Sequence, residues 1–175
     1  MLAAVCTSAL VWQQSDAALT DAVDNAGNSW SSARVGIGTD LQLPMFSEVN
    51  MAPAHPVARC VTITYTGDVP AAVRIYTTPD SFTGDGADYL DLTVEEGSGG
   101  SAGSCAGFVS SSTYTGSLAD FVTTHTDFAS GVGAFAPTGP ASITYRLTVT
   151  VRDDETSGQQ QRSSAVSFTW EAQNT

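Results

Sequence analysis

The three cysteines, Cys6, Cys60 and Cys105, carry the clearest chemistry in this sequence. Cys60 and Cys105 both lie in the part of the chain that shows strand patterns, so an exported chain is expected to pair them. That bridge would close a loop of about 46 residues, worth up to roughly 4 kcal/mol in the chain-entropy model. The alternative is two reduced, buried thiols. Cys6 would be left over, as a free thiol, as an intermolecular partner, or as part of a processed segment.

Two histidines, His55 and His125, are the only imidazoles available for catalysis or zinc binding. Each falls in a predicted loop, and the sequence contains no His-Glu-x-x-His motif, so both are expected to be solvated. There is also no Gly-x-Ser-x-Gly nucleophile elbow. The Gly/Ser-rich residues 97–104 lack the lysine that a phosphate-binding loop needs. We therefore predict that the chain is not an enzyme and uses no cofactor.

An acidic, glycine-containing segment, residues 79–88, offers oxygen ligands for a hard cation. Calcium prefers carboxylate oxygens of the kind that Asp80, Asp85 and Asp88 supply. The spacing is not that of an EF-hand, and no glutamate stands at its twelfth position. A solvated acidic loop is therefore the first interpretation of this segment, and calcium binding at these three residues is the alternative.

The overall charge excludes several classes of partner. The chain carries 18 acidic and 6 basic residues, a formal net charge of −12. Such a surface repels phosphate backbones and anionic lipid headgroups, so neither nucleic acid nor a membrane is an expected partner. Charged residues make up only 14% of the chain, and small polar residues are abundant. This composition is typical of an all-β extracellular protein of one domain.

The strand that must carry Cys60 is the clearest element in the sequence. Residues 57–66 alternate strictly between two faces, and most of their side chains are β-branched or aromatic. Val61 and Ile63 fall on one face, and Cys60 falls on the other face among threonines. A bridge from Cys60 to Cys105 would therefore fasten the Gly/Ser-rich loop 97–104 to the outside of the sheet.

Other strand patterns surround this one. They occupy residues 30–37, 41–45, 72–77, 89–95, 112–115, 143–152 and 163–171. A short helix is predicted for residues 117–122, and residues 125–141 are expected to be irregular. The last two strands, with a polar loop between them, are predicted to form an antiparallel hairpin. Six to nine strands with turns between them predict an all-β fold, an antiparallel sandwich or jelly roll.

The N-terminal residues differ from the rest of the chain. Residues 1–12 form an apolar arm, residues 13–29 a small acidic linker, and residues 30–175 the predicted sandwich domain. The arm is too short to span a bilayer and lacks a basic start, so it is either a true arm or a signal-peptide remnant. Extended, it would reach about 40 Å at roughly 3.3 Å per residue. Its candidate donor-strand residues are Leu2, Val5, Leu10, Val11 and Trp12.

The segment 49–67 resembles the TasA/camelysin family of secreted bacterial proteins. The resemblance rests on the run NMAPA, residues 50–54, placed before a long alternating strand. Two further segments, TVEEG at 93–97 and VSFTWEAQN at 166–174, are similar to actinobacterial members. The family's usual Pro-Gly turn is replaced here by Pro-Ala-His-Pro at 53–56, which leaves the turn geometry open and the flanking strands unaffected.

The resemblance implies a jelly roll whose relatives include subunits of biofilm-matrix fibres. Some such subunits polymerise by lending an N-terminal strand to the next copy, and strand addition of this kind relies on main-chain hydrogen bonds. We therefore expect a secreted, cell-surface protein whose partner is itself, joined head to tail through residues 1–12. The alternatives are a camelysin-like secreted metallopeptidase, for which the residues offer no catalytic centre, and a monomeric coat-associated adhesin.

Overall fold

The computed structural model of the chain describes residues 34–41, 45–46, 51–153 and 164–175. Within these ranges the neighbouring strands all pair antiparallel, which confirms the predicted all-β class. The strands are β1 (Ile37–Thr39), β2 (Val57–Tyr65), β3 (Ala71–Gly84), β4 (Leu90–Ser98), β5 (Val109–Ser117), β6 (Ala141–Val151) and β7 (Ser164–Asn174). The helix α1 spans Leu118–Thr124, and a 3₁₀ helix spans Ala87–Tyr89.

Five strands form the larger sheet, in the order β1-β2-β6-β4-β5. β2 forms where the sequence alternation is strictest, and its inward residues Val61, Ile63 and Tyr65 are buried. β2 pairs with β6 over nine residues, and β6 pairs with β4 over eight. Both edges of β6 are therefore occupied within this sheet.

The predicted hairpin between residues 143–152 and 163–171 is wrong. β6 lies between β2 and β4, whereas β7 pairs with β3 in a separate two-stranded sheet. The physical reason is that β6 already has a partner strand on each edge. In addition, the apolar faces of β6 and β7 cover the same core from opposite sides. Adjacent strands in sequence thus belong to different layers of the sandwich.

The core lies between the two sheets. Buried apolar side chains from both layers meet there, including Ile63, Val73, Ile75, Leu92, Phe121, Tyr145 and Leu147. The α1 helix adds Phe121 to one end of this core. It begins where Ser117 accepts a hydrogen bond from the Asp120 amide (2.9 Å), an N-cap that satisfies one of the free amides of the first turn.

β3 is longer than the sequence pattern predicted. Its far end, through Gly84, includes most of the predicted loop 79–88 and pairs with β7 at Phe82 and beyond. The pairing shifts register between Thr77 and Phe82. Such an irregularity lets a strand pass Pro79, which has no backbone donor, without ending there.

The remaining edge of β3 is covered by residues 131–137. The Val73 amide donates to the Phe135 carbonyl (2.9 Å), and the Ile75 amide donates to the Val132 carbonyl (2.8 Å). This segment lies within the stretch predicted to be irregular, and it is not a regular strand. β3 consequently has a hydrogen-bonded neighbour on both sides.

Candidate assembly edge

Two long strand edges have no described strand beside them, the side of β7 that faces away from β3 and the outer side of β5. β7 pairs with β3 from Ser164 to Asn174, and no other described strand pairs with it. An edge strand presents a row of amide and carbonyl groups that can pair with another chain. With eleven residues, β7 is the longest unpaired strand edge among the described residues.

The inward side chains of β7 are covered incompletely. Val166, Phe168 and Trp170 pack against the core but remain half-buried, whereas Val73 and Ile75 of β3 are fully buried. The difference follows from position, because β3 has a described neighbour on both edges and β7 has a described neighbour on a single edge. A strand added beside β7 would remove more of this apolar surface from water.

Trp170 carries a polar group without a partner among the described residues. Its ring packs edge-on against Tyr145, with centroids 5.9 Å apart. Its Nε1 donor is buried and makes no hydrogen bond to any described residue. Such an unsatisfied donor costs about 1–3 kcal/mol. An acceptor supplied to this donor would therefore stabilise the protein.

The larger sheet is also uncovered at its β1 edge. Ile37 lies opposite Tyr65 in the pairing of β1 with β2, so its side chain points to the same inward side as that buried tyrosine. Ile37 is nevertheless 39% exposed, and Val35 is 41% exposed. Strands lie about 4.8 Å apart, so a layer of two strands is too narrow to cover five.

The outer face of the two-stranded sheet is polar and hydrogen-bonded. The Tyr76 hydroxyl donates to Glu171 (2.6 Å), and the Gln173 side chain donates to the other Glu171 oxygen (2.8 Å). The bond to Glu171 raises the pKa of Tyr76 to about 12. The same bond, with help from Gln173, lowers the pKa of Glu171. These polar groups already have partners, so the open feature of this sheet is its edge.

The predicted disulfide is present, with the Cα atoms of Cys60 and Cys105 5.3 Å apart. Cys60 lies on the threonine face of β2, yet it is only 2% exposed. Gly100 of the Gly/Ser-rich loop lies against its sulfur, since a Cβ at that position would be 3.5 Å from Sγ. The expectation that the bridge fastens this loop to the outside of the sheet is confirmed.

Asp40 fastens the same loop at a second point. Its carboxylate accepts hydrogen bonds from the Thr62 amide of β2 (2.7 Å) and from the Ala102 amide of the loop (2.9 Å). Burial alone would raise the pKa of Asp40, but the bonds from Ala102 and Thr62 outweigh it and lower that pKa. The loop is therefore held by one covalent bond and one charge-assisted contact.

The two histidines have different surroundings. His55 is exposed, as expected. His125 is half-buried, contrary to expectation, with its ring 5.1 Å from that of Tyr114 and 4.9 Å from that of Phe121. Its Nδ1 bonds to the Ser130 carbonyl. The aromatic neighbours come from β5 and α1, long-range contacts that the loop position of His125 did not indicate.

The structure does not bring the calcium candidates together into a metal site. Asp80 lies in the bulged part of β3, and Asp85 and Asp88 follow the end of that strand. Asp88 contributes its backbone carbonyl to Arg152 (3.3 Å). In the described ranges, no group of three His, Cys, Asp or Glu side chains is placed to hold a metal ion.

Other predictions lie outside the described residues. These include the donor-strand candidates Leu2, Val5, Leu10, Val11 and Trp12, and also Cys6, Leu43 and residues 30–33 of a predicted strand. The assignment of residues 1–12 as an arm and 13–29 as a linker therefore stays a prediction from the sequence. Among the residues that are described, no helix is long and apolar enough to cross a membrane.

Glu96 is an important residue that the sequence reasoning missed. It lies on the inward face of β4 and is only 3% exposed. Its carboxylate accepts a hydrogen bond from the buried Tyr145 hydroxyl (2.6 Å). The signal was in the alternation itself, because Leu92 and Val94 point inward and Glu96 is the next residue in that series.

A scan against protein-family models gives no match, and a search of curated proteins gives none. The described residues define the class of protein as an all-β sandwich of two antiparallel sheets, with a disulfide and an open edge at β7. The function must therefore be argued from these features and from the sequence.

Proposed function

We propose that this protein is a structural subunit of an extracellular surface or biofilm-matrix filament. Subunits join by strand addition, in which residues 1–12 of one copy pair with the open edge of β7 in the next. The observation that carries the proposal is the unpaired edge of β7 in a sheet of only two described strands. The resemblance to TasA-like proteins in residues 49–67 agrees with it.

The apolar surface of β7 suits an added strand. Val166, Phe168 and Trp170 are half-buried, so each has surface left for a neighbour to cover. Residues 1–12 are apolar and, when extended, span about 40 Å at roughly 3.3 Å per residue. Burial contributes about 25 cal/mol for each Å² of apolar surface removed from water.

The backbone and the indole of Trp170 give further support. Strand addition satisfies the row of edge amides and carbonyls along β7 and needs little side-chain specificity. The buried Nε1 of Trp170 has no described partner, and a strand packed beside β7 is one source of the missing acceptor. A contact between the arm of one copy and β7 of another is head to tail, so it yields an open filament unless the rotation closes.

The chemistry of the domain agrees with an extracellular setting. Disulfides such as Cys60–Cys105 persist in oxidising compartments. The net charge of −12 keeps individual subunits soluble. A filament outside the cell has no chaperones or energy source for repair, and a covalent staple on the outer face of the sheet suits that use.

The decisive experiment removes the arm. Deletion of residues 1–12 is expected to abolish filaments in electron micrographs and to leave a folded, β-rich monomer. Leu10→Glu is expected to weaken assembly in the same way, because it places a charge in the apolar strand. Gln13→Glu, just beyond the arm, is the matched control and should assemble as the unmodified chain does.

Two outcomes would contradict the proposal. Filaments of unchanged width from the truncated protein would show that the arm is not the donor strand. A full-length protein that stays monomeric at every concentration would favour the adhesin alternative. Circular dichroism of each variant separates a loss of assembly from a loss of folding.

A further inference from the structure

The edge of β3 opposite β7 is covered by residues 131–137 and the preceding loop. Alternate amides of β3 point to this edge, those of Ala71, Val73, Ile75 and Thr77. They donate over 2.8–2.9 Å to the carbonyls of Pro137, Phe135, Val132 and His125, respectively. Every second residue donates in a strand edge, so the row of donors along this half of β3 is fully occupied.

Glu96 holds the covering segment from inside the sandwich. Its carboxylate accepts hydrogen bonds from the Ala134 amide (2.6 Å) and the Phe135 amide (3.3 Å). The Tyr145 hydroxyl (2.6 Å) and the Ser112 hydroxyl (2.9 Å) donate to the same carboxylate. One buried side chain of β4 thus ties residues 131–137 to β5 and β6.

The covering segment offers few groups to a further strand. The amides of Gly131, Val132, Ala134 and Phe135 are all engaged within the chain, and Pro137 has no amide hydrogen. Five of the seven positions from 131 to 137 are therefore without a free donor. A segment of this kind closes a sheet edge instead of extending it.

The contact between the segment and Glu96 is close. Gly133 has a φ of 129°, which side chains rarely adopt, and a Cβ there would lie 2.8 Å from Oε1 of Glu96. Beside it lies a cavity of about 260 Å³ whose lining includes Ser112, Tyr114 and Val132. The hydrogen bonds to Glu96 thus add to the backbone bonds between the segment and β3 in holding the segment in place.

We propose that residues 131–137 are an edge cap locked by Glu96. We also propose that the β3 edge beneath the cap is a latent site for a second copy of this chain, which would bind through the β7 edge that no described strand occupies. Inside the subunit β7 already pairs antiparallel with the opposite edge of β3 over ten residue pairs, so the backbones of these two strands are compatible neighbours. Copies joined in this way would repeat β3 and β7 across one open sheet. The lock prevents that association, whether or not residues 1–12 are a donor strand.

The first test is Glu96→Gln in the full chain, with Glu95→Gln as the matched control. Glutamine replaces one carboxylate oxygen with an NH2 group, so this donor would face the groups that donate to Glu96. Glu95, by contrast, lies on the outer face of the same strand. We expect amide exchange at Val73 and Ile75 to accelerate by about tenfold or more. Exchange in the β2–β6 pairing should be unchanged, and Glu95→Gln should leave Val73 and Ile75 protected.

The second test acts from the cap side and leaves Glu96 intact. Gly133→Ala pushes a methyl group into the lock, and Gly103→Ala, where a Cβ meets nothing within 4 Å, is its control. The same selective acceleration at Val73 and Ile75 is expected for Gly133→Ala. This variant decides the question if Glu96→Gln does not fold.

The partner is tested by sedimentation velocity over a range of concentrations. Both uncapped variants should self-associate more than the unmodified chain, and a second substitution that charges the inward side of β7, Val166→Lys, should suppress the excess. Uniform acceleration of exchange in all strands, or no acceleration, would overturn the lock. If the uncapped variants do not self-associate more than the unmodified chain, β7 of a second copy is not the partner. The same conclusion follows if Val166→Lys leaves the added self-association intact.

Discussion

Glu95 and Glu96 are adjacent in sequence and lie on opposite faces of β4. Glu95 points outward and accepts two hydrogen bonds from the Arg146 guanidinium (2.6 and 2.8 Å). Glu96 points inward and accepts from Tyr145, Ser112 and two backbone amides. The two carboxylates therefore allow the effects of an outer ion pair and an inner hydrogen-bond lock to be separated by single substitutions.

Acidification is expected to destabilise the fold partly through Glu95. The hydrogen bond from Arg146 lowers the pKa of Glu95 from its usual 4.5. A carboxylate with a lowered folded pKa contributes stability above its unfolded pKa and loses it as the pH falls through the folded pKa. Glu95→Gln should make the free energy of unfolding less dependent on pH in this range. Urea unfolding at a series of pH values below about 5 measures it, and parallel curves for the two proteins would contradict the prediction.

Alkaline conditions are expected to act through Tyr76. Its bond to Glu171 raises its pKa from 10.0 to about 12, so the folded chain retains this proton more tightly than the unfolded chain. The associated stability is fully present below pH 10 and is lost as the pH rises through about 12. Tyrosinate absorbance should show one fewer late-titrating tyrosine in Glu171→Gln. An unchanged titration in that variant would show that Glu171 is not the cause.

Loss of the disulfide is expected to lower the free energy of unfolding by up to about 4 kcal/mol. The bridge spans 45 positions, so it restricts the unfolded chain strongly. The double variant Cys60→Ser with Cys105→Ser should also expose the loop around Gly100 to protease. Cys6→Ser is the control and should change neither property. Equal denaturation midpoints for the double variant and the unmodified chain would contradict the prediction.

A charge on the inward side of β7 is expected to weaken filament assembly. Val166→Lys places an ammonium group where an added strand would bury it, and an inward charge is a common protection of strand edges. Ser167→Lys adds the same charge at the next residue, whose exposed side chain points outward. Electron microscopy should show fewer filaments for Val166→Lys than for Ser167→Lys. Equal assembly would place the acceptor edge elsewhere.

The sequence predicted the strands in which alternation is uninterrupted. β2, β4 and β6 each have runs of apolar residues at alternate positions, so their faces followed directly from the residues. β3 was predicted only in part, because Pro79 signals an end to a strand and the register shift that accommodates it depends on β7. Which strands pair with each other depends on contacts between residues far apart in sequence. This is why the hairpin of β6 with β7 was predicted wrongly.

Part of the candidate site could likewise be predicted from the sequence, and part could not. The disulfide could be predicted, since Cys60 and Cys105 were the two cysteines within the strand-patterned region. The inward position of Glu96 was implicit in the alternation of β4, but its lock on residues 131–137 was not, because no local pattern links the two. The open edge of β7 depends on which strands neighbour it, and single-strand periodicity carries no information on that.

The disulfide also has a mechanical consequence. If a fibre is pulled through the ends of its subunits, tension reaches Cys60 and passes through the sulfur bridge directly to Cys105. The chain between the two cysteines, which are 45 positions apart in sequence, cannot be pulled out. About 150 Å of chain, at roughly 3.3–3.6 Å per residue, is therefore not available for extension. β3 and β4 both lie inside this shielded loop, so a stretched subunit would yield by extending its terminal portions while this part of the chain bears no load.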